Sequence, residues 1–241
     1  MREAHNSLLG LDLGHAGPEP LPVLRRRLLV AGLALALLGA VLTVVVLTRA
    51  SFDTVQRLDE DFRQAMVSLR WGPAVAVCKV LSAAFGTYVL WPVRALVTIV
   101  IAVRRRWLAL TAWVCTVLLS EAVIGPVKAL VDRPRPPGGL IDTSGASYPS
   151  GHAIASAVTA IGVVMALTSG RRRLHGMVVA VLVTTAVAFS RPYLSAHWLS
   201  DVVGGALIGA GLALAVPEAF EVARDRRRTR LSAASAPPPP A

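Results

Sequence analysis

Residues 25–49, RRRLLVAGLALALLGAVLTVVVLTR, set a long uncharged run between arginines. About 20 apolar residues at the helical rise cover the hydrocarbon thickness of a bilayer, so Leu28 to Thr48 reads as a membrane-spanning helix. The run is longer than the apolar region of a secretory signal and lacks a small-residue cleavage site, so it is expected to stay as an anchor. Working outward, five further apolar runs follow: Phe85 to Val103, Leu108 to Leu130, Ala153 to Thr168, Leu174 to Phe189 and Leu199 to Val216. The chain of 241 residues is 54% hydrophobic and 16% charged, with a mean hydropathy of +0.60. That balance excludes an ordinary soluble domain. The expected fold is all-α, a polytopic membrane bundle of six transmembrane helices.

The formal charge of +11 is spread in short arginine clusters at the ends of the apolar runs, which argues topology and not a nucleic-acid stripe. Arg25 to Arg27, Arg104 to Arg106, Arg171 to Arg173 and Arg226 to Arg228 all fall on one side of a six-span chain. By the positive-inside rule that side is cytoplasmic, with both termini on it, in a multi-pass protein of the plasma membrane. Parity then makes Gly72 to Ala84 a re-entrant or interfacial helix and Arg49 to Trp71 a small external segment, because two spans there would export Arg104 to Arg106. Residues 1–27 are expected to be a cytoplasmic segment. Residues 217–241, basic and then proline-rich, are expected to be a disordered cytoplasmic tail after the 28–216 core. Cys78 and Cys115 lie in apolar runs as small buried hydrophobes and suggest neither a disulfide framework nor a metal site.

This topology gathers three polar islands at the outer ends of spans: KALVDRPRP (128–136), YPSGH (148–152) and SRPYLSAHWLSD (190–201). They supply Lys128, Arg133, Arg135 and Arg191 as cations, Ser150 as a hydroxyl, His152 and His197 as imidazoles and Asp201 as a carboxylate. Such a set suits a phosphoryl group, whose transfer asks the protein for position and for neutralisation of non-bridging oxygens. Arginine forks hold two oxygens, lysine adds a point charge, and the PSG turn offers free N–H groups at a helix start. His197 and Asp201, four residues apart, share a face if helical, so the carboxylate can fix one ring nitrogen and leave the other to attack phosphorus. His152 is left to protonate the departing alkoxide and later to activate water. No cofactor and no metal are needed for this scheme.

In order and content, K-x6-RP, PSGH and SR-x5-H-x3-D resemble the signature of the type 2 phosphatidic acid phosphatase family of membrane lipid phosphatases, which are related to the vanadium haloperoxidases. The resemblance runs from about Arg49 to Val216. It implies a six-span helical core and a phosphohistidine on His197. It also implies phosphate binding by Lys128, Arg135, Ser150, Gly151 and Arg191, acid catalysis by His152 and orientation by Asp201. The expected function is hydrolysis of a phosphomonoester or pyrophosphate of a membrane lipid, with phosphatidic acid, phosphatidylglycerol phosphate and polyprenyl phosphates or diphosphates all open. The alternative is a lipid phosphotransferase with the same residues. Vanadate-dependent halide oxidation and non-catalytic lipid binding or transport compete less well. The expected partners are the lipid substrate and the bilayer, not nucleic acid, and the oligomeric state is left open.

Outside the motifs, Arg133 reads as an interfacial anchor, and Tyr148 and Trp198 as aromatic belt residues. The glycines at 204, 205, 209 and 211 read as close helix packing within the bundle. Arg94 and Glu121, ionisable residues at similar depth in two spans, are expected to pair.

Overall fold

The computed structural model describes residues 21–234, all of whose regular elements are helices. They are α1 (Leu21–Leu47), α2 (Arg49–Ser68), α3 (Gly72–Ala84), α4 (Thr87–Val103), α5 (Trp107–Val131), α6 (Gly151–Leu167), α7 (Gly170–Tyr193) and α8 (Leu199–Ala234). Four are long and apolar enough to cross a membrane, over Val23–Leu47, Trp107–Val131, Gly170–Tyr193 and Leu199–Leu231. Of the six expected spans, the other two are shorter, at 17 residues each. α4 meets α3 at a bend of 48°, and the two together have the length of a span. The break falls at Gly86, between Gly72–Ala84 and α4.

α6 is the most buried of the helices and lies at the centre of the bundle. Ala153, Ile154, Ala157 and Val158 are wholly buried, packed among α4, α5 and α8 through Ile101, Trp113, Val117 and Ile208. Close approach is made possible by missing side chains. A Cβ on Gly205 would lie 2.7 Å from the Ser150 carbonyl oxygen, and one on Gly209 would lie 2.7 Å from that of Ile154. On another face of α8 a Cβ on Gly211 would lie 2.5 Å from the Ala36 nitrogen, and one on Gly32 would lie 2.5 Å from that of Ala215. Thus the α8 glycines seat α6 on one flank and α1 on another, as small residues do where backbones touch.

The first and last helices run antiparallel. Arg25, near the start of α1, meets Glu221 at 3.2 Å and Asp225 at 2.6 Å. Arg106 donates to the Ala166 carbonyl at the end of α6, and Arg173 to that of Thr168. Members of all four arginine clusters therefore sit at or beyond one end of the bundle. α8 also continues through Pro217 to Ala234, so the disorder expected from residue 217 onward is corrected for 217–234. Ion pairs from Arg25 and Arg173 (to Glu218 at 3.9 Å) hold this stretch against the bundle. Residues 1–20 and 235–241, including the proline run, lie outside the described residues.

Candidate active site

The opposite end of the bundle is built from the last turn of α5, the loop 132–150, the start of α6, the end of α7 and the start of α8. Asp132, at φ 39°, turns the chain out of α5. The loop is then pinned by Ser147 N–H to Arg133 O at 2.8 Å, Leu140 N–H to Leu194 O at 2.9 Å and Ser150 N–H to Asp201 O at 3.0 Å. Ser150 is the N-cap of α6, which leaves Gly151 and His152 in a first turn whose N–H groups lack helical acceptors.

His197 lies in the loop before α8 and not on the helix itself, which corrects the geometry though not the proximity expected from i, i+4 spacing. Asp201 sits in the first turn of α8 and reaches back to accept the Trp198 N–H at 2.8 Å. This is one half of a capping box. The same oxygen, Oδ2, faces His197 Nδ1 at 3.4 Å and accepts from the Ser147 hydroxyl. Oδ1 accepts from Arg133 Nη1 at 2.8 Å. Asp201 is therefore wholly buried and surrounded by donors, which stabilises its ionised form.

On the far edge of the ring, Arg135 Nη1 lies 3.3 Å from His197 Nε2. A guanidinium can only donate, so this contact requires the Nε2 lone pair and assigns the ring proton to Nδ1, beside Asp201. Arg135 is itself held by the carbonyls of Ala196 at 2.7 Å, Ser144 at 2.8 Å and Gly145 at 3.0 Å. Burial pushes His197 down to about 4, with Asp201 opposing that shift, so the imidazole is neutral at physiological pH. Burial also lowers the Arg135 guanidinium from its usual range, with Asp201 opposing that shift.

Around this ring, Lys128 is within electrostatic reach of Arg135, Arg191 and Asp201, and His152 of Arg191, His197 and Arg135. Lys128 donates to the Ala146 carbonyl. Arg191 Nη1 donates to the Ser82 hydroxyl, and His152 Nε2 faces the Ser82 carbonyl at 3.1 Å, so one residue of α3 engages both. Two buried polar atoms here have no hydrogen-bond partner, Ser150 Oγ and Arg191 Nε. Lys128, Arg135, Ser150, Gly151, His152, Arg191, His197 and Asp201 thus converge on one end of the fold.

Three contributors escape the motif reading. Arg133 is 3% exposed, not an interfacial anchor. It bridges Asp201 to Asp59 of α2, at 2.7 Å, and to Gln56 at 2.7 Å. Asp59 in turn takes the Ser200 N–H at 2.8 Å. Ser147, two residues ahead of Pro149, touches both Asp201 and His197 Nδ1, the latter at 3.4 Å. Tyr148 is also buried, and its hydroxyl pairs with Thr43 of α1 at 2.9 Å.

Residues 108–225 match the PAP2 superfamily. Among solved structures, the chain is similar to a transmembrane PAP2-type phosphatidylglycerolphosphate phosphatase from Bacillus subtilis. The two align with a TM-score of 0.67 and 24% identity, over 79% of this chain and 96% of that one. It is also similar to Aquifex aeolicus LpxE, with a TM-score of 0.56 and 20% identity, over 66% of this chain and 94% of the other. At these identities the likeness is one of fold. No curated protein matches the sequence.

Proposed function

Because residues 108–225 of this chain match the PAP2 superfamily, we propose that it is an integral membrane lipid phosphatase working through a phosphohistidine on His197. The observation that carries this reading is the line Asp201, His197, Arg135, beside two buried polar atoms, Ser150 Oγ and Arg191 Nε, that await a partner. An anion with several oxygens satisfies both atoms, and buried polar groups are rarely left without one.

In the first step the Nε2 lone pair of neutral His197 attacks phosphorus as the bond from phosphorus to the lipid oxygen breaks. His152 delivers a proton to that oxygen, so the lipid leaves as an alcohol. The imidazolium formed on His197 keeps its Nδ1 proton against Asp201, whose charge stabilises it. In the second step water attacks phosphorus and gives a proton to His152. The P–N bond then breaks, restoring neutral His197 and releasing inorganic phosphate. Lys128, Arg135 and Arg191, with the Gly151 and His152 N–H groups, offset the charge on the non-bridging oxygens throughout.

The same reading takes α1, the α3–α4 pair, α5, α6, α7 and α8 as six membrane passages, with the arginine-rich end cytoplasmic and the site outside. Phosphate release by the purified protein from a panel of lipid phosphates, in detergent with EDTA, tests it. Turnover that persists with chelator and vanishes in His197→Ala supports the scheme. Turnover abolished by EDTA and restored by magnesium overturns its metal-free chemistry.

A further inference from the structure

Between α4, α5 and α6 lies a cleft of about 170 Å³ whose lining includes Phe85, Leu90, Arg94, Glu121, Gly151 and His152. It starts beside the histidine assigned to protonate the leaving oxygen and extends to an ion pair within the bundle. Arg94 in that pair is committed and buried. Its Nε donates to Thr159 Oγ1 at 3.0 Å, its Nη1 to Glu121 Oε1 at 2.7 Å, and its Nη2 reaches the Ala155 carbonyl at 3.5 Å. Glu121 is different, because its side chain is 38% exposed and Arg94 engages only Oε1. Among the described residues Oε2 has no partner.

A half-exposed carboxylate oxygen one helical segment below the phosphate site, in a mostly apolar cleft, is stabilised only by a hydrogen-bond donor. Glu121 precedes Lys128 by seven residues, about 10 Å at the helical rise. The cleft adjoins His152 and so offers room for the carbon skeleton attached to the oxygen that His152 is assigned to protonate. We infer that Glu121 is a specificity-determining residue whose free oxygen accepts a hydrogen bond from a hydroxyl of the leaving alcohol. The preferred substrate class is then a lipid phosphate whose leaving alcohol is glycerol-like or sugar-like. Diacylglycerol released from phosphatidic acid, and a polyprenol, offer no such hydroxyl, and each leaves the carboxylate unpartnered. This inference rests on the phosphatase reading.

The test uses the full chain in detergent. The water-soluble pair glycerol 3-phosphate and n-propyl phosphate differ only in hydroxyls, and the lipid pair phosphatidylglycerol phosphate and phosphatidic acid poses the same question in amphiphiles. The wild-type protein should favour the hydroxyl-bearing member of each pair in kcat/KM by about tenfold or more, the scale of one charged hydrogen bond. Glu121→Gln keeps an oxygen for Arg94, and Glu121→Leu does not. Both should lower the preference ratio, Leu further than Gln. A wild-type ratio near one overturns the inference without recourse to any variant, as does a ratio that stays fixed while both members fall together. Absence of phosphate release from every substrate by the wild-type protein overturns the phosphatase reading itself, and this inference with it.

Discussion

In the proposed scheme, removing the His197 imidazole takes away the attacking atom, so His197→Ala should lower phosphate release by about a thousandfold or more. Asp201→Asn keeps the shape but loses the charge that orients Nδ1 and balances Arg133, and a fall of a similar order is expected. Both are read by initial rates, and a His197→Ala protein with near-normal turnover removes the covalent step. The His197 pKa gives a second handle. Its folded value, about 4, lies below the unfolded value of about 6.5, so the native protein binds fewer protons than the unfolded chain between them. Stability from this group is therefore present above about pH 6.5 and lost as pH falls toward 4. In a ring-nitrogen NMR titration, the signal absent from His197→Gln should not shift above pH 5. Arg133 makes a sharper stability prediction, because Arg133→Ala leaves Asp59 and Asp201 buried at 2% and 0% side-chain exposure without the cation that pairs with both. A loss of about 3–5 kcal/mol is expected, seen as a lower melting temperature in detergent. The contrast between these residues explains what was legible. His197, Asp201, Arg135 and Ser150 stand in short motifs whose spacing carries their chemistry, whereas the meaning of Arg133 depends on Asp59, 74 positions away. No local pattern joins those two.

Among elements, the glycine faces of α8 were legible because small residues at helical spacing have few other uses in lipid, and they mark where backbones meet. Gly205→Val would drive a side chain into the Ser150 carbonyl. It should push α6 away from α8, lowering both melting temperature and activity, while a substitution at Gly125, where an added Cβ meets nothing, should be far milder. Parallel melts of the two variants decide the point, and equal losses would mean the seam does not set the site. The lengths of α4 and α6 were legible to within two residues at each end, but the central place of α6 was not, since hydropathy counts apolar residues and cannot tell a helix wrapped by protein from a lipid-facing one. The 217–234 extension of α8 was also missed. Its charges look solvated in sequence, and the partners that tie its acidic residues to the rest of the bundle, Arg25 and Arg173, are distant in the chain. The Arg94 and Glu121 pairing, by contrast, followed from the cost of isolated charge at matched depth, and the 2.7 Å contact agrees with it.

At the scale of the whole molecule, the arginine clusters and the candidate active site lie at opposite poles, so one labelling experiment addresses the orientation of both. Gly139 is exposed in the loop 132–150, and a cysteine there should react with an impermeant thiol reagent on intact cells. Labelling only after permeabilisation would turn the protein over. The antiparallel seam of α1 and α8 has one more consequence, for biogenesis. α1 leaves the ribosome before the other described helices, yet the one it packs against most extensively is made last among them. Through most of translation it must therefore wait in the bilayer with its glycine face open to acyl chains, while α5, α6 and α7 already have neighbours to join. Ribosome-bound chains halted before residue 199 should accordingly leave α1 open to crosslinking by lipid or insertase, and release of α8 should end that reactivity in a single late step.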